Sequence, residues 1–142
     1  MTDLPGSAPA FGRTAVDDPI ETMPENGFEL SSMFDKLKEL FELPDNWDGY
    51  GSPAIQPAVK ETASDLANTL HKAGAPLPHI APVSGGGIQL EWHKKDRELE
   101  LEILPDGDVA FLKVNESGEM QEATLPRTFY DRVFELVRWF NS

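Results

Sequence analysis

Four glutamates, Glu91, Glu98, Glu100 and Glu102, share two short runs with His93, and in both runs apolar and polar residues alternate. Carboxylates at that spacing support three kinds of chemistry. They act as an acid and base pair if burial drives their pKa values apart, they hold a cation, or they meet a basic protein surface. A second group lies in Asn46-Trp47-Asp48-Gly49-Tyr50-Gly51-Ser52-Pro53. There Trp47, Asp48 and Tyr50 form either a structural corner or a polar-aromatic pocket for a sugar, a base or a peptide. Gly49 and Gly51 permit positive φ, and Asp48 is suited to bond backbone just ahead of it.

Other chemistries find no support in the residues. The chain has no cysteine, which removes disulfides, thiolate nucleophiles and Cys-based zinc sites. His71, His79 and His93 lack metal-ligand spacing; only His93, beside Glu91 and Glu98, lies near other ligand types. Ser84-Gly85-Gly86-Gly87 enters a strand rather than opening a helix and lacks the Lys of a P-loop, so it reads as a hinge. No nucleophile elbow is present. No catalytic residue, metal ligand or cofactor is assigned.

The elements that must position these residues follow from periodicity. Residues 31–43 read as an amphipathic helix, with Ser32 as N-cap, Asp35 completing a capping box, and an apolar stripe of Met33, Phe34, Leu37, Leu40 and Phe41. Pro44 stops it. Residues 57–73 read as a second helix, started by Pro57, with Val59, Ala63, Leu66, Ala67 and Leu70 on one face and Gly74 after its end. Pro78–Val83 has the prolines of an irregular edge strand. Ile88, Leu90 and Trp92, then Leu99, Leu101 and Ile103, alternate with polar residues as half-buried strands do. Val109–Val114 forms the next strand, and Met120–Leu125 is a candidate fourth. Residues 126–140 read as a final helix, with Phe129, Val133, Leu136, Val137 and Phe140 inward.

The first two meander strands pair with Glu91 opposite Glu100, Gln89 opposite Glu102 and His93 opposite Glu98, on the side away from Leu90 and Leu101. A two-residue turn at Asp106-Gly107 would then place Leu101 opposite Leu112, Leu99 opposite Val114 and Glu100 opposite Lys113. On that register Lys113 relieves the acidic face. The expected class is α+β: two N-terminal helices, an antiparallel three- to four-stranded meander, and a C-terminal helix packed on one sheet face.

The 142 residues suit one domain, and the 39% hydrophobic content suffices for a modest core. Residues 1–30 carry six acids against one base, Arg13, and are interrupted by four prolines. They read as an acidic, flexible arm, whose Phe11, Val16, Ile20, Met23 and Phe28 could lie in a partner's groove. Residues 31–142 form the domain. The net charge of −13 repels phosphate backbones and anionic membranes. Lys94, Lys95 and Arg97 make a small basic hairpin tip, too little for nucleic acid to be expected as a partner. No secretory signal or membrane span is expected, and the location is read as cytoplasmic.

The Asn46–Pro53 corner, followed by Gly87-Ile88-Gln89-Leu90-Glu91-Trp92 and Leu99-Glu100-Leu101-Glu102-Ile103, is similar to a pattern in small uncharacterised proteins of bacterial chromosomes, phages and mobile elements. Those proteins share an NWDG-x-G-[AS]-x-P corner and a G-x-I-x-L-E-W strand. The resemblance spans about residues 40–114 and implies a bacterial or phage source and a small α+β domain. It brings no activity, cofactor or catalytic residue. The functional expectation is a non-enzymatic acidic interaction module, such as an inhibitor, an antitoxin-like neutraliser or an accessory protein. Its partner would be a protein with a basic surface, contacting Glu91, Glu98, Glu100 and Glu102. The alternative is a small-ligand binder or hydrolase with its site around Trp47, Asp48 and Tyr50.

Overall fold

The computed structural model describes residues 28–125 and 130–142. The expected flexibility of residues 1–27 of the arm, the start of the last helix at residue 126 and the inward Phe129 lie outside this set. Helices α1 (Leu30–Phe41) and α2 (Pro57–Lys72) precede a sheet of β1 (His79–Val83), β2 (Gly87–Lys94), β3 (Arg97–Ile103), β4 (Val109–Val114) and β5 (Met120–Leu125). Helix α3 (Tyr130–Asn141) follows. The α+β class holds, but the meander is longer than three or four strands. All five are antiparallel neighbours in chain order, and the Pro-containing edge segment is a fully paired β1.

Alternation along the strands decides which sheet face is covered. Ile80, Ile88, Leu90, Trp92, Leu99, Leu101, Ile103, Val109 and Phe111 point to one side and are buried. Met33, Leu37, Val59, Leu66, Leu70, Leu136 and Phe140 from the three helices close over them. Each large apolar side chain so buried contributes roughly 1.5–3 kcal/mol. Phe28, assigned to the arm by the sequence, belongs to this core: it is 5% exposed and packs edge-on against His71. The stripe of α1 matches its pattern, with Met33, Leu37 and Leu40 buried and Phe34 and Phe41 packed at its border. Its start differs from the expected capping box. Glu29 is the N-cap, without a side-chain cap bond, and Ser32 lies inside the first turn, donating its N–H to the Glu29 carbonyl.

One register differs from expectation by a residue. Between β2 and β3 the pairs are as expected, Glu91 with Glu100, Gln89 with Glu102 and His93 with Glu98. Between β3 and β4, however, Leu101 pairs with Phe111, Leu99 with Lys113 and Glu100 with Leu112. The connection is a five-residue loop, not a two-residue turn. Leu104 N–H donates to the Asp108 carbonyl, and Gly107 N–H donates back to the Leu104 carbonyl. The loop is tied to α2, because the buried Thr62 hydroxyl donates to the Gly107 carbonyl at 2.7 Å. A one-residue slip exchanges faces. Leu112 and Val114 therefore lie on the outer face, and Lys113 lies on the inner one.

Candidate functional site

The outer face of the sheet is built from three rows read across the strands. One row is Gln89, Glu102, Ala110 and Thr124. The next is Glu91, Glu100, Leu112 and Glu122, and the third is His93, Glu98, Val114 and Met120. All four expected glutamates are brought together here. Glu91 and Glu100 stand directly opposite each other, an unfavourable pairing for like charges. Burial, followed by the charges of Glu91, Glu102 and Glu98, raises the pKa of Glu100 above the ordinary carboxylate value. Gln89 donates an amide hydrogen bond to Glu91, and the His93 Nε2 lies 3.8 Å from the same carboxylate.

Lys113 gives this face no relief. Its Nζ lies 4.4 Å from the centroid of the Trp139 ring on the helix side. Two of the three bases of the tip, Arg97 and Lys94, are also engaged internally. The Arg97 guanidinium donates to the Trp139 and Phe140 carbonyls at the end of α3, at 2.6 and 3.3 Å, and pairs with Glu116 at 2.8 Å. There it satisfies helix-terminal acceptors and the negative end of the helix dipole. Lys94 lies over the Phe140 ring. Neither Lys113 nor these two bases therefore turns toward the acidic face.

Glu122 was missed by sequence reasoning. It stands on the outer face opposite Leu112, and with Glu100, Glu102 and Thr124 it walls a shallow trough floored by Ala110 and Leu112. The only signal was the faint alternation of the fourth strand of the meander. Among the described residues there is no group of three or more His, Asp or Glu side chains placed to hold a metal ion.

The Asn46–Pro53 corner is a different kind of structure. Asn46, Gly49 and Gly51 have φ of 62°, 78° and 84°, the left-handed region that Gly and Asn tolerate best. Asn46 closes the loop, its N–H donating to the Ser52 carbonyl and its side-chain oxygen accepting from Gly51 N–H. Asp48 accepts from the N–H groups of Tyr50 and Ser52 and from the hydroxyls of Ser52 and Ser84. The Ser52 hydroxyl in turn accepts from Gly85 N–H at 2.9 Å. These bonds, with the Ser52 hydroxyl's first, hold the Asp48 carboxyl well below the ordinary carboxylate range.

The pin of the corner is therefore Asp48. Trp47 is half-buried and outside the packed core, and its Nε1 is buried with no hydrogen-bond partner among the described residues. What the pin fixes is the β1–β2 turn. Ser84-Gly85-Gly86 is consequently clasped to the corner rather than free to hinge. Tyr50 projects outward and is 90% exposed.

No helix among the described residues is long and apolar enough to cross a membrane. Compared with known proteins, the chain matches no family model, no curated protein and no solved structure.

Proposed function

We propose that this protein is a non-enzymatic interaction module that presents the outer face of its sheet to a basic surface on another protein. The observation that carries the reading is an acidic face that no described element covers, with Glu91, Glu98, Glu100 and Glu102 in register and Lys113 on the opposite side. Such a face costs the free protein electrostatic repulsion, which a cationic partner reverses. Ala110, Leu112 and Val114 beside the carboxylates supply apolar area, so contact would not rest on charge alone. An inhibitor, a neutraliser of a basic toxin, or an accessory subunit of a bacterial or phage system all fit this chemistry. Cytoplasmic residence fits the acidic, cysteine-free composition.

Co-purification from the source cell tests the proposal. A stoichiometric basic partner is expected that is released by salt and lost from a Glu98→Gln, Glu100→Gln, Glu102→Gln triple variant. A partner held equally well by the triple variant would sink the idea.

The second reading, a small-ligand or hydrolytic site at Trp47, Asp48 and Tyr50, draws on the exposure of Tyr50. Asp48 gives it little, because its oxygens already accept four hydrogen bonds and a carboxylate held so acidic is a weak proton acceptor. Asp48→Asn separates the two: loss of stability marks a clasp, whereas loss of ligand binding at unchanged stability marks a site.

A further inference from the structure

The two edges of the sheet are not alike. In β1, Pro82 falls at a position whose backbone points away from β2, so the hydrogen that proline lacks is missing from the free edge. Proline there blunts an edge against pairing. The β5 edge carries no proline. The Asn115 N–H bond to the Glu119 carbonyl marks that pair as hydrogen-bonded, and the alternation that follows assigns Gln121, Ala123 and Leu125 to bonds with β4. Met120, Glu122 and Thr124 therefore aim their N–H and C=O groups outward, unmatched among the described residues. The strand also overhangs the helix layer: Gln121 and Ala123 on its inner side are exposed, and Met120 is 66% exposed.

We infer that the β5 edge receives an extended segment of the partner as a sixth antiparallel or parallel strand, with basic side chains on the outer face and apolar ones on the inner. This rests on the acidic-face reading and adds to it the backbone by which the partner is held. A strand laid along Met120, Glu122 and Thr124 sets alternate side chains beside Glu122 and the glutamate rows behind it. Its other side chains fall over Ala123, next to the edge of the core at Phe111. Main-chain bonds supply affinity in this mode, and alternate side chains supply selectivity. A second copy of the chain is a poor occupant. In the antiparallel register that uses all three open positions, Glu122 faces its own counterpart, and each chain carries −13. Glu122 thus bars self-pairing while favouring a cationic strand.

The probe is a synthetic peptide of alternating lysine and valine, added to the full-length chain at low salt. Binding is expected to slow hydrogen exchange at the Met120, Glu122 and Thr124 amides by about tenfold or more. Thr124→Pro removes one edge donor without touching a β4 bond or a charge, and is expected to weaken binding about tenfold. Exchange on the unmodified chain decides the matter if that variant fails to fold. Peptide binding that leaves the three amides unchanged overturns strand addition while leaving the acidic face standing. No binding at all overturns both. Amides already protected in the free protein, by a second copy or by residues 1–27, overturn it as well.

Discussion

Asp48 in the corner accepts hydrogen bonds from two hydroxyls and two backbone N–H groups, whereas Glu100 on the sheet stands among Glu91, Glu98 and Glu102. The first carboxylate is stabilised in its charged form and the second is destabilised, so their pKa values move in opposite directions. A group whose charged form is fully satisfied is part of the architecture. One whose charge is left in conflict has something to gain from a partner. The contrast favours the proposed interaction surface on the sheet over the alternative in the corner, although the corner has the more conspicuous sequence.

The largest effect is expected where the two regions meet. A Cβ on Gly87, the first residue of β2 after the clasped turn, would lie 2.6 Å from the Ile103 carbonyl oxygen. Gly87→Ala must separate β2 from β3 and should cost about 3 kcal/mol in chemical denaturation. A change of less than about 0.5 kcal/mol would mean that the strands there are not held as closely as the structure shows.

Asp48→Asn comes next and is expected to lower the melting temperature by several degrees. Because the folded pKa of Asp48 is depressed, its contribution is present above the ordinary value of 3.8 and is lost as pH falls below it. The variant should therefore be less stable than the parent at neutral pH and converge with it in acid. A parallel offset at every pH would detach the clasp from the charge of Asp48.

Glu100→Gln is expected to act the other way. The raised folded pKa means that the ionised group opposes folding at neutral pH, an opposition relieved as pH falls through that value. Replacement should stabilise the free protein by about 0.5 kcal/mol at neutral pH, with the gain fading in acid, while weakening binding of the proposed basic partner. Destabilisation instead would point to a favourable contact of Glu100 within the fold. The smallest effect belongs to Tyr50→Phe, within about 0.5 kcal/mol by thermal melting, since the side chain is exposed.

Much of the fold was legible because it is written in local periodicity. The stripe of α2 and the alternation of Leu99, Leu101 and Ile103 each name a buried face without reference to the rest of the chain. The Glu91–Glu100 pairing was legible as well, because only the short Lys95-Asp96 turn separates β2 from β3. The β3–β4 register was not. Leu112 and Phe111 are both apolar, so composition could not choose between them, and the choice fell to a loop anchored by Thr62, 45 residues away in sequence. Lys113 was misassigned for a related reason, and the internal role of Arg97 was not legible: their partners, Trp139 and the end of α3, are brought to them only by folding.

By itself, the order of residues determined an α+β domain with its helices on one side of a meander, an acid-rich strand pair, and a glycine-aromatic corner. These follow from 3.6- and 2-residue periods and from turn chemistry, which act over a few residues. Tertiary structure decided that the corner clasps the β1–β2 turn through Asp48, that Lys113 and Arg97 lie away from the acidic face, and that the outward backbone groups of β5 find no partner among the described residues. Each depends on which distant groups meet. Hydrogen bonds and charges are settled by distance in space, and sequence separation carries almost no information about that distance once the chain has turned back on itself.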